Sequence, residues 1–66
     1  MARSSLVQRA IYDAGEQTLA VTFTTGRTYL YFDVPGDVYE EFMAAESQGQ
    51  FFNLRIRDRY DYREID

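Results

Sequence analysis

The sequence predicts a small α+β domain: a three-stranded antiparallel β-meander followed by two short helices packed on one face. Three observations carry that prediction. Residues 17–24 alternate, with Leu19, Val21 and Phe23 on one side and Thr18, Ala20, Thr22 and Thr24 on the other, the period of a half-buried strand. Thr25-Gly26 then separates this run from a second β-favouring run, residues 27–34. Beyond Pro35 the period changes: Val38, Phe42 and Ala45 recur at helical spacing.

The first strand covers residues 9–14 and the second residues 17–24. The turn between the second and third strands sets which face each tyrosine takes. A two-residue type I′ loop would force the β-branched Thr25 to positive φ, which is unfavourable. A type I turn with Gly26 alone in the left-handed region costs less and ends in a G1 bulge. In that register Tyr29 and Tyr31 share the helix-covered face with Leu19, Val21 and Phe23, their hydroxyls reaching a rim. Leu30 and Phe32 are left on the open face. A two-residue loop would reverse the assignment.

Pro35 ends the third strand, because it has no N–H to give a ladder. Asp37 is the expected N-cap of the first helix, with Glu40 at the capping-box position. Tyr39 and Met43 widen its apolar stripe, and Glu40 and Glu41 face away. Ser47 is the expected second N-cap, with Gln50 as its box partner. Gly49 allows close packing near the start of that helix, and Phe52 and Ile56 are i, i+4 partners along it. Residues 58–66 are highly charged. Any order there comes from Tyr60, Tyr62 and Ile65 docking in an extended, strand-like stretch.

Read in order, these residues resemble a family. Tyr29-Leu30-Tyr31, Val34-Pro35 and Ser47-Gln48-Gly49-Gln50-Phe51-Phe52-Asn53 are similar to the pattern of the KTSC domain. That pattern has a Tyr-x-Tyr at the end of a β region, then Val-Pro, then Ser-x-Gly-x-(aromatic)-Phe-Asn. Ser4-Ser5, Val7, Tyr12-Asp13, Leu19, Val21 and Phe23 fit the N-terminal part. Ala10 stands in place of a larger aliphatic, and Ile11 in place of a glycine. The resemblance covers nearly all of residues 1–66, read as a single KTSC-like domain. KTSC domains are short bacterial and phage modules, also found at the C-terminus of some lysyl-tRNA synthetases. The resemblance implies RNA binding as the activity conjectured for the family.

Sixty-six residues allow one domain with a thin core, since a chain this short buries only about 60% of its unfolded surface. Six Tyr and five Phe compensate in part, each burying a large area at modest entropic cost. The chain has no Cys and no His, which removes disulfides and Cys- or His-ligated zinc. Oligomerisation or a partner is the remaining supplement. No cofactor, metal or membrane span is expected, and without a recognisable leader the expected compartment is the cytoplasm.

The net charge is −4, and all seven basic residues are Arg. Residues 1–34 balance. Residues 35–50 carry Asp37, Glu40, Glu41 and Glu46 without an Arg. Residues 51–60 carry Arg55, Arg57 and Arg59 against Asp58. An anion site therefore belongs near the C-terminal third.

Without His or Cys, and with no phosphate-cradling glycine loop, only carboxylates offer catalysis. Asp13, Glu16 and Asp33 approach one end of the sheet, where Asp commonly shapes turns. The chain thus reads as a non-enzymatic binding module. Arg55, Arg57 and Arg59, with Arg63 beyond, interleave with Tyr60 and Tyr62. Such a segment suits phosphate contact with stacking, and Arg27 and Tyr31 are candidates to join it. Tyr29 and Tyr31 read either as base-stacking platforms or as core under the helices. Gly49 and Asn53 read either as ligand donors or as helix-turn architecture. The alternative function is a protein-interaction or homodimerisation surface on the open sheet face, around Leu30 and Phe32.

Overall fold

The computed structural model describes residues 6–65; Ser4 and Ser5 of the family pattern lie outside them. The elements are β1 (Val7–Asp13), β2 (Thr18–Phe23), β3 (Thr28–Tyr31), α1 (Gly36–Ala44), α2 (Gln48–Phe51) and β4 (Tyr62–Glu64). A π-helical turn, Phe52–Ile56, continues α2 directly. The four strands form one antiparallel sheet in the order β1-β2-β3-β4.

The hairpin between β2 and β3 has the bulged register. Gly26 lies at φ +96°. Its N–H donates to Phe23 C=O at 2.8 Å, and Phe23 N–H donates to Arg27 C=O at 2.9 Å. Leu19 pairs with Tyr31 and Val21 with Tyr29, so both tyrosines face the helices. The β1–β2 turn is held by Asp13, whose Oδ1 accepts the N–H groups of Gly15 and Glu16 at 3.0 and 3.2 Å. Gln17 then takes a left-handed conformation, φ +56°, and its carbonyl accepts Val34 N–H at 2.8 Å.

Two expectations need correcting. The meander has four strands, not three. The C-terminal stretch docks through its backbone, pairing Tyr29 with Glu64, Leu30 with Arg63 and Tyr31 with Tyr62. Phe32 N–H to Asp61 C=O and Ile65 N–H to Thr28 C=O, each 2.9 Å, extend the ladder. The extended, strand-like stretch expected around Tyr60, Tyr62 and Ile65 is thus a strand of the sheet, although all three β4 residues are exposed. The second correction concerns Asp37. Asp33 turns left-handed at φ +59°, and α1 starts two residues early, with Pro35 instead of Asp37 in the capping position. Pro35 C=O accepts from Val38 and Tyr39, and Asp37 Oδ1 accepts Val38 N–H at 3.0 Å inside the first turn. Ser47 caps α2 as expected, accepting Gln50 N–H at 3.2 Å.

The core is Leu19, Val21, Tyr31, Val34, Phe42, Phe52 and Ile56. Its contributors come from β2, β3, the β3–α1 link, α1 and the π-helical turn, so both helical segments lie on one face of the sheet. Tyr12 fastens the sheet to α1. Its ring stacks on Tyr39 at 4.6 Å, and its hydroxyl donates to Val34 C=O at 2.6 Å. The shortest dimension, 18 Å, is one sheet and one helical layer. The other face of the sheet has no second layer among the described residues. Ile11 faces that side, opposite Ala20, and is 56% exposed. Leu30 and Phe32 are half-buried, less open than the sequence suggests.

Candidate functional site

A cavity of about 390 Å³ opens where the β2–β3 hairpin, β4 and the π-helical turn meet. Its aromatic wall comes from the sheet. Phe23 packs edge-on against Tyr29 at 5.6 Å and Phe52 at 5.1 Å, and Tyr31 meets Phe52 edge-on at 5.3 Å. Tyr62 covers this cluster, its ring 5.6 Å from Tyr29 and 5.3 Å from Tyr31. Tyr62 is still 55% exposed, so it keeps an open ring face. The polar wall is Arg27, Thr25, Asn53, Arg57 and Asp58, with Leu6 completing the lining.

Winding of the π-helical turn matters to this wall. Arg57 N–H reaches back five residues to Phe52 C=O at 2.8 Å. Phe52 and Ile56 stay buried together, as their spacing predicts, although the winding is wider than an α-helix. Asn53 and Arg57 lie over the cavity, with Arg57 Nη1 donating to Asn53 Oδ1 at 3.3 Å. Single π-turns of this kind often occur at functional sites. Asn53 therefore holds an arginine instead of a backbone group.

The predicted cationic residues separate. Arg27 and Arg57 share the cavity. Arg27 also pairs with Glu64, Nη1 to Oε2, at 2.8 Å; both partners are solvated, so the pair contributes little to stability. Arg55 points to α1, 3.3 Å from Glu41, with its guanidinium 5.1 Å from the Phe51 ring centre. Arg59 is exposed and does not line the cavity. Arg63 pairs across from Leu30 on the uncovered face. The Arg55–Arg59 run thus forms no single patch. Tyr31 lines the cavity but is only 3% exposed, so it has no free ring face for a base to stack on. Its hydroxyl is pushed up to about 12, first by burial and then by the neighbouring Tyr62, while Arg57 opposes the rise.

Thr25 and Asp58 were not legible as site residues, whereas Tyr62 was, as an aromatic of the C-terminal Arg/Tyr segment. For Tyr62 the available signal was its two-residue spacing from Tyr60 in an extended stretch. The acidic trio does not converge on chemistry. Asp13 is engaged in its turn, and no group of three metal-ligating side chains occurs among the described residues.

Comparison with known proteins now decides the family. The family model for the KTSC domain matches residues 3–60. This chain belongs to the KTSC domain family. The crystal structure of a KTSC domain protein from Yersinia pestis superposes on it with a TM-score of 0.89. That alignment has 33% identity and covers 98% of this chain and 92% of the other. A protein from Tsukamurella paurometabola is 47% identical over 57 residues, which cover 86% of this chain and 85% of the relative. A lysine–tRNA ligase of Nostoc punctiforme is 34% identical over 61 residues. They cover 92% of this chain but 11% of the ligase, so the likeness is to a module within that enzyme. No helix among the described residues of this KTSC domain is long and apolar enough to cross a membrane.

Proposed function

We propose that this KTSC domain is a non-catalytic module that binds single-stranded RNA, with one unpaired nucleotide entering the cavity beside Tyr62. The observation that carries this reading is the meeting of Arg27, from the β2–β3 hairpin, with Arg57 and the exposed Tyr62 ring, from the C-terminal part of the chain, around one concavity. Single-stranded nucleic acid is held by such a combination of cationic groups and sequence-tolerant stacking platforms. A volume of about 390 Å³ lies within the range of small-ligand sites. The net charge of −4 repels polyanions, so affinity is modest and depends on local cations. The absence of His and Cys from the whole chain supports a binding role over a catalytic one.

The test is fluorescence anisotropy with a short, labelled, unstructured RNA at low salt. Binding weakens as salt rises, because counterions are released on association. Tyr62→Ala lowers affinity by about tenfold, the loss of one stacked base. Arg57→Gln weakens binding and reduces the salt slope by about one contact. Arg55→Gln, on the α1 side, leaves affinity unchanged. No binding at low salt, or equal binding by Tyr62→Ala and Arg57→Gln, overturns the reading.

A further inference from the structure

The sheet face opposite the helices carries a pattern that RNA binding does not use. Strand register lays three rows of side chains across it. One end row holds Arg9, Thr22 and Thr28, with Ile65 beside Thr28. The middle row is Ile11, Ala20 and Leu30, ending at Arg63 on β4. The other end row begins with Asp13 opposite Thr18 and runs through Phe32, whose N–H donates to Asp61 C=O, to Asp61 at the β4 edge, so its charged ends flank one half-buried aromatic ring. The face is therefore apolar across its middle, cationic at the Arg9 end and anionic at the Asp13 end. Ile11 and Ile65 on it are 56% and 49% exposed.

We propose that this face is a homodimer interface, with two copies packed sheet to sheet about a two-fold axis running across the strands. An isologous contact sets one patch against itself. That axis reverses strand direction, so the Arg9 end of each copy lies over the Asp13 end of the other, twice by symmetry. It also superposes the middle row on itself, setting Ile11, Ala20 and Leu30 against the same residues of the second copy. An axis along the strands would instead stack Asp13 over Asp61 and offer no partner to Arg9. Charge thus selects one orientation, while the apolar row supplies the attraction. Arg63 meets its own copy only at the solvated edge, two residues from Asp61.

The need for a second layer supports the same occupant. A sheet buries an apolar face by packing it on another element, and this chain spends both helical segments on the opposite face. Aligned sheets pack about 10 Å apart, which suits side chains the size of Ile and Leu. A face of four short strands is small beside the roughly 800 Å² per partner of a standard stable interface. The dimer is therefore concentration-dependent. The cavity lies on the helix side and stays open in it, so this inference is independent of the RNA reading.

Sedimentation equilibrium of the whole chain, without RNA and up to about 1 mM, tests it. The wild type associates to a dimer and no further. Ile11→Glu and Arg9→Asp, both at exposed positions, sediment as monomers while circular dichroism shows the fold intact. Asp13→Asn keeps the turn-forming oxygen but removes the charge, and weakens the dimer several-fold at low salt only. A wild type that stays monomeric at the highest concentration overturns the proposal. So does a dimer that folded Ile11→Glu and Arg9→Asp leave unchanged.

Discussion

Tyr31 has a buried ring and a hydroxyl among other ionisable groups. Burial and the nearby Tyr62 raise its pKa to about 12 from an ordinary value of 10.0. The folded state thus holds this proton more tightly than the unfolded chain. The sign of the pH effect follows by linkage. Stability from this group is fully present below the unfolded pKa of 10.0 and is lost as pH rises through about 12. Urea midpoints across that window are expected to fall more steeply for the wild type than for Tyr31→Phe. Parallel slopes in the two proteins would show that Tyr31 titrates as an ordinary tyrosine. The same burial explains why sequence alone left Tyr31 open between platform and core. Its face followed from the hairpin register, but its coverage depends on Phe52 and Tyr62, both distant in sequence.

At the scale of elements, the β2–β3 hairpin rests on one backbone angle. Gly26 lies at φ +96°, with nothing within 4 Å of an added Cβ. Gly26→Ala therefore creates no clash, and its cost is the backbone penalty of the left-handed region, about 1–2 kcal/mol. Thermal or urea unfolding checks this, and Gly26→Asn is expected to cost less, because Asn tolerates that conformation. The turn was legible because Thr25 and Gly26 differ so sharply in tolerance for positive φ. The first helix start was not, because Asp33 at φ +59° redirects the chain before Asp37 could cap it. Ser47 was legible because its cap bond to Gln50 spans only three residues.

Across the whole molecule, stability rests on a small core that two ring systems share. Phe52 is 2% exposed and touches the rings of both Phe23 and Tyr31. Phe52→Ala is expected to cost about 3–5 kcal/mol, enough to remove most of the folding free energy of so small a domain. A urea midpoint shift worth less than about 1 kcal/mol would show that the core does not depend on it. The loss would also open the aromatic wall of the cavity, so this variant reports on stability and not on binding.

Local chemistry in the sequence determined the hairpin, the buried face of β2 and β3, the second helix cap and the ordered motifs that mark the KTSC family. Each depends on residues a few positions apart, where φ preference, side-chain period and cap bonds act directly. Tertiary structure decided the fourth strand, the separation of Arg55 from Arg57, and the meeting of Arg27 with Arg57 and Tyr62. Those outcomes turn on long-range partners. β4 is held by backbone pairing with β3 and by the Tyr62 ring on Tyr29 and Tyr31, contacts 31 and more residues away in sequence. Arg55 is drawn to Glu41 and Phe51 on the helical side, and Arg57 is carried over the cavity by the π-helical turn. Charges two residues apart on a helical segment point in different directions, so a basic run in the sequence becomes one surface only where the packing allows it.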